Sequence, residues 1–159
     1  MKTNAMRALD NAGAVYRTVE YRVIEDYLSG DHVASLIGMP EEQVFKTLVT
    51  TGDRTGVCVF CIPVCCELDL KKAAAASGNR KIEMLPLRNL LATTGYVRGG
   101  CSPVGMKKKF PIWIDETAVL FEEISVSAGI RGCQVILAPQ ALIDLVTAEL
   151  GDLTKDMKN

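Results

Sequence analysis

Phe45-Lys46-Thr47-Leu48-Val49-Thr50-Thr51-Gly52-Asp53-Arg54-Thr55-Gly56-Val57-Cys58-Val59-Phe60-Cys61-Ile62-Pro63-Val64 is the stretch that decides the fold class. Phe45 to Thr51 and Val57 to Val64 are rich in β-branched and aromatic residues, and Gly52 to Gly56 between them is turn chemistry. Two consecutive strands are therefore predicted. A parallel pair needs a long crossover, which this short turn does not supply, so at least part of the sheet is antiparallel. Alternation along the first strand puts Lys46 on one face with Val44 and Leu48, and Phe45, Thr47 and Val49 on the other. An ammonium on an apolar face needs a partner, an outlet to solvent or a function. Snorkelling to the sheet edge is the ordinary outcome.

The flanks read as alternating helices and strands. Thr3 or Asn4 caps a helix bearing Ala5, Met6, Leu9 and Ala12, closed by Gly13. A strand follows with Val15, Val19 and Tyr21 on one side. Ser29 or Asp31 starts a helix bearing Val33, Leu36 and Ile37, and Pro40-Glu41-Glu42 suits another helix start. Asp69 caps an alanine-rich helix ending at Gly78, Lys81 to Met84 is a short strand, and Pro86 to Ala92 is a short helix. Pro111 to Asp115 is an apolar run too short to assign. Strands are predicted over Leu120 to Val126 and Cys133 to Leu137, with a closing helix over Pro139 to Leu150. The result is an α/β domain spanning residues 1–159, with a mixed, mostly antiparallel sheet.

At 159 residues with 48% hydrophobic content, the chain is long and apolar enough for one packed core. No apolar run reaches membrane-spanning length, and the N-terminus lacks the core of a signal peptide, so a cytoplasmic location is expected. A net charge of −1 argues against a broad nucleic-acid-coating surface, and no DNA or membrane partner is expected. It leaves room for a local basic rim from Arg98, Lys107, Lys108, Lys109 and Arg131. Of the six cysteines, Cys58 and Cys61 lie three apart on a strand and point in opposite directions, which disfavours a zinc site. Small buried thiols are the expectation, without metal or disulfide.

Two loops are rich in backbone donors. Thr94 to Lys109 packs four glycines and Pro103 into Gly95–Gly105, and can aim N–H groups at an anion or a developing oxyanion. Its plain alternative is a surface connection with solvated lysines. Ser127-Ala128-Gly129-Ile130-Arg131-Gly132 is the second, with an ordinary hairpin turn as its alternative. Cys101 has no histidine near it in sequence, and His32, the single histidine, sits in a predicted amphipathic helix. Neither a thiol nucleophile nor a serine triad is expected.

Gly99-Gly100-Cys101-Ser102-Pro103-Val104-Gly105-Met106-Lys107-Lys108 resembles the glycine loop of the YbaK/EbsC family of aminoacyl-tRNA deacylases, with Gly99 and Pro103 matching its Gly-x-x-x-Pro signature. Val44 to Val49, Glu67 to Lys72 and Ser127 to Gly132 agree in order and spacing, and the similarity runs from about Met6 to Leu150. The resemblance implies a largely closed barrel flanked by helices, and hydrolysis of cysteine mischarged on tRNA(Pro). The implied partners are aminoacyl-tRNA and prolyl-tRNA synthetase, with no cofactor. It also implies that Lys46 positions substrate while main-chain groups of Gly100, Cys101 and Ser102 stabilise the oxyanion. Tyr21, Thr47, Gly99, Pro103, Ser127, Gly129, Arg131 and Gln134 would bind substrate. The substrate's own thiolate would attack its ester, which needs no enzyme nucleophile. Two positions depart from the family pattern, Gln134 where an acidic residue is common and Ser29 where an aromatic one occurs. They leave open an editing activity on another small aminoacyl-tRNA such as Ala-tRNA, or a non-catalytic tRNA- or nucleotide-binding module.

Overall fold

Phe45 to Gly52 and Gly56 to Pro63 form the predicted antiparallel hairpin, β2 and β3, in a computed structural model that describes residues 2–23 and 30–156. Around it the chain runs α1 (Asn4–Asn11), β1 (Tyr16–Glu20), α2 (Gly30–Ile37), then β2 and β3, α3 (Leu70–Ser77), β4 (Ile82–Met84) and α4 (Leu90–Thr94). β5 (Ile112–Asp115), β6 (Ile124–Ser127), β7 (Cys133–Leu137), α5 (Pro139–Val146) and β8 (Glu149–Gly151) complete the order.

The expected closed barrel is not what forms. The strands make two sheets, one in the order β1-β7-β6 and one in the order β4-β2-β3-β5-β8, and hydrogen bonds do not close them. Among the described residues, a single parallel bridge, Val44 to Ser125, links them. The β1–β7, β6–β7, β2–β3 and β2–β4 pairs are antiparallel, whereas β3–β5 and β5–β8 are parallel.

Strand alternation divides the core in two. Phe45, Val49, Val59 and Cys61 pack with Val126 and Val135 of the other sheet and with Ala5, Leu9 and Leu142 from α1 and α5. Cys58, Phe60 and Ile62 turn the other way onto Ala73 and Ala74 of α3, with Trp113 stacked on Phe60 at a centroid distance of 5.4 Å. Cys58 and Cys61 thus lie in different cores. Truncating Phe60 to alanine would cost about 3–5 kcal/mol.

Side-chain caps set the ends of several elements. Thr3 accepts from the Met6 N–H to start α1, and Asp69 accepts from the Lys71 and Lys72 N–H groups to start α3. Other expectations need correction. Val15, expected on the strand with Val19 and Tyr21, is 88% exposed and precedes β1, which begins at Tyr16, and on α2 Leu36 is exposed while Ala34 is buried. The segment after Pro40 makes only a 3-10 turn over Glu41–Gln43. Leu120 is 75% exposed, because Asp115 caps Thr117 and coils Glu116–Leu120 into a 3-10 turn before β6 begins. The closing helix stops at Val146, where Thr147 turns left-handed, and Glu149–Gly151 becomes the edge strand β8. Ser29 lies outside the described residues.

Among the described residues, part of β2 has no strand partner on one side. From Phe45 to Gly52, β2 pairs with β3 along its first edge. The second edge meets β4 only at Thr50–Gly52, and the Val44 bridge to Ser125 lies beyond the strand's start. Lys46, Thr47 and Leu48 sit in the gap between the two sheets.

Candidate active site

The two glycine-containing loops are latched to each other. Arg131 Nε donates to the Arg98 carbonyl at 2.7 Å, and the Cα of Gly100 lies so close that a Cβ there would sit 3.0 Å from Arg131 N and 3.1 Å from Ile130 C. On the far side, Gly129 (φ +92°) lies against the Tyr96 ring, and Tyr96 Oη donates to the Val104 carbonyl at 2.6 Å. Ser127 Oγ accepts from Gly129 N, and Thr3 Oγ1 donates to Ala128 O, so α1 braces the second loop. Arg98, Gly99, Gly100, Gly129 and Arg131 are therefore brought together.

Inside the first loop, the donors divide. Gly100 N–H already donates to Val97 O at 3.0 Å. Ser102 is 0% exposed, and its hydroxyl accepts from Val104 N at 3.2 Å, shaping the turn from within. Among the described residues, the Cys101 and Ser102 N–H groups have no protein acceptor. Cys101 is half-buried, and burial pushes its thiol up to about 11, an effect only partly offset by the Thr94 hydroxyl. That thiol stays protonated at neutral pH. Beside it, Cys61 is pushed up to about 12 by burial and lies 3.8 Å from Thr47 Oγ1.

Register places the polar candidates. Val19 and Ser127 are both Cα partners of Gln134, so Val19, Ser127 and Gln134 share a face, opposite to Val126 and Val135. Tyr21 N donates to Gly132 O at 2.9 Å and continues this ladder, which brings Tyr21 to the same side. Val44 bridges to Ser125, and Lys46 and Ser127 lie two residues further along each strand. Lys46, Tyr21, Ser127 and Gln134 thus occupy one face, and Thr47 points to the other, toward Cys61 and Cys101. Gln134 is 5% exposed and accepts from Ser125 Oγ at 2.8 Å, which leaves its amide nitrogen as a donor.

A sequence profile for the aminoacyl-tRNA editing domain matches residues 27–145. The chain belongs to this family. Over 153 residues it is 50% identical to a protein of Enterococcus faecalis provisionally named Cys-tRNA(Pro)/Cys-tRNA(Cys) deacylase EbsC, covering 96% of this chain and 93% of the relative. Among solved structures, a provisional trans-editing enzyme for prolyl tRNA synthetase superposes with a TM-score of 0.85 at 25% identity, covering 98% of this chain and 99% of the other. A hypothetical protein superposes with a TM-score of 0.87 at 18% identity, covering 96% and 100%, and shows the same fold.

Within this editing domain, not every expected residue converges. Pro103, Lys107, Lys108 and Lys109 border a separate cavity of ≈ 200 Å³ with Phe110 and Leu145. Lys46 instead lines an open groove of ≈ 590 Å³ with Leu48, Met84, Lys71 and Lys155. Lys71 falls in a segment that matched the family but carried no assigned role, and Lys155 had no sequence signal at all. Among the described residues, no helix is long and apolar enough to cross a membrane.

Proposed function

We propose that this editing domain is a trans-acting deacylase that removes cysteine from mischarged tRNA(Pro). The observation that carries the reading is 50% identity over nearly the whole chain to a protein provisionally named Cys-tRNA(Pro)/Cys-tRNA(Cys) deacylase. A synthetase pocket separates residues of similar volume only modestly, so a second hydrolytic site is useful. Prolyl-tRNA synthetase is the partner that would deliver the substrate, in the cytoplasm, and residues 1–159 act as one editing domain without a cofactor.

The substrate supplies the nucleophile. Its cysteine thiolate attacks the ester carbonyl, an S–C bond forms, the bond to the ribose oxygen breaks, and that oxygen takes a proton as tRNA leaves. Water then opens the cyclic thioester to free cysteine. Intramolecular attack gains from effective molarity, less the strain of a four-membered ring. The protein holds the reactive conformer and receives the oxyanion at the N–H of the half-buried Cys101, with the fully buried Ser102 shaping the turn that presents it. Lys46 orients the substrate from the gap in β2. The Arg98–Arg131 latch keeps the two loops at working distance, and Gln134 offers its amide nitrogen to a substrate oxygen. The high thiol pKa of Cys101 supports a mechanism without an enzyme nucleophile.

A panel of Cys-, Ala-, Ser- and Pro-charged tRNA(Pro), with Cys-tRNA(Cys), tests the assignment. Fastest release from Cys-tRNA(Pro) is expected, and preference for the Ala-charged species would replace it.

A further inference from the structure

The groove at the open edge of β2 has charge left over. Asp69 is occupied by the Lys71 and Lys72 N–H groups at 2.9 and 3.0 Å, bonds that hold its carboxyl below the usual range. Glu67 pairs with Lys155 at 3.2 Å. Lys46 and Lys71 form no ion pair among the described residues. Beside these two cations lie Leu70 and Met84, large apolar side chains that are exposed. Unbalanced positive charge next to exposed apolar surface suits a single-stranded nucleic acid, whose phosphates seek the cations and whose bases lie on the apolar floor. The volume of ≈ 590 Å³ is in the range of small-ligand sites.

We propose that this groove receives the single-stranded 3′ end of the tRNA, with a backbone phosphate held by Lys71 and a base resting on Leu70 and Met84. The inference rests on the deacylase reading, because an ester positioned by Lys46 brings its own 3′ end into the groove that Lys46 lines. It moves the phosphate contact nearest the ester away from Lys107, Lys108 and Lys109, which border the other cavity.

The test uses the full-length protein and a fluorescent, uncharged acceptor-stem hairpin, with and without its single-stranded 3′ extension, followed by anisotropy across a salt series. Lys71→Ala, at an exposed position, should weaken binding of the extended hairpin about fivefold at 0.1 M salt, and reduce the salt slope by about 0.7, the signature of one single-strand phosphate contact. The blunt hairpin should lose this Lys71 dependence, and the combined K107A/K108A/K109A variant should bind the extended hairpin within about twofold of wild type. Unchanged affinity and slope in Lys71→Ala, or equal Lys71 dependence with the blunt hairpin, overturns the proposal. Deacylation is followed separately on wild type. Lys71-dependent binding without hydrolysis of any charged tRNA keeps the groove and rejects the activity, whereas hydrolysis with Lys71-independent binding does the reverse.

Discussion

Val64 N donates to Val44 O at 2.8 Å, and this bond sets the phase of the whole β2–β3 ladder. In an antiparallel pair, alternate residues bond to the partner strand. Val44, Lys46 and Leu48 therefore turn their peptide groups toward β3, and Phe45, Thr47 and Val49 turn theirs to the opposite edge. Val49 O is taken there by Leu85 N at 3.0 Å. The Thr47 peptide group faces the gap between the sheets, beside the Lys46 side chain.

Thr47→Pro should then fold, since the lost N–H makes no bond to β3 and proline is tolerated at such edge positions. If that N–H holds substrate, kcat/KM should fall about 10- to 100-fold. Thr47→Val, which keeps the N–H, should stay near wild type. Steady-state deacylation beside urea unfolding separates the two, and equal activity in both variants would remove the Thr47 peptide from the site.

Lys46→Ala should lower kcat/KM by about 10²-fold, the scale of a mispositioned substrate. Its unfolding free energy should change by no more than about 0.5 kcal/mol, as the side chain is half-buried at an edge and forms no ion pair among the described residues. Near-normal turnover in the folded variant would place the site elsewhere.

Gly100→Val should impair catalysis more than Lys108→Ala. The new side chain meets the Ile130–Arg131 main chain at 3.0–3.2 Å and wedges the two loops apart, whereas Lys108 is one exposed charge among several. Comparison of kcat/KM for the two variants checks this, and the opposite ranking would mean that the loop contact is not part of the site.

Cys101→Ser and Cys101→Ala should both retain substantial activity. The wild-type rate should rise with pH and level off near the ordinary thiol pKa of about 8.5, because the ionising group belongs to the substrate. A rate still climbing toward about pH 11, where the half-buried Cys101 thiol titrates, and lost in both variants, would assign the nucleophile to the enzyme.

Local signals in the sequence carried much of the fold. Thr3 and Asp69 announce their helices by capping, and turn chemistry between two apolar runs announces the β2–β3 hairpin. What was hidden depends on distant partners. Asp115 accepts from Leu153 N, 38 residues away, as well as from Thr117, so the coil before β6 is not readable from its own residues. Whether the sheets close depends on strand register, and the Val44–Ser125 bridge is where they join without closing. The glycine loops were legible because close approach demands glycine, as Gly100 against Arg131 shows. The gap in β2 was not, and with it went Lys71 and Lys155.

The substrate's sulfur decides between thiolate attack and an activated water. Cysteine and serine differ by one atom, both fit a pocket shaped for cysteine, and only the thiol ionises appreciably near neutral pH. The measurement is the single-turnover rate on Cys-, Ser- and Ala-charged tRNA(Pro), with the Cys-charged substrate also tested after alkylation of its thiol. Thiolate attack predicts fast release from the Cys-charged tRNA alone, and none after alkylation even where the modified substrate still binds. Brisk release from the Ser- or Ala-charged tRNA would contradict it and point to an activated water.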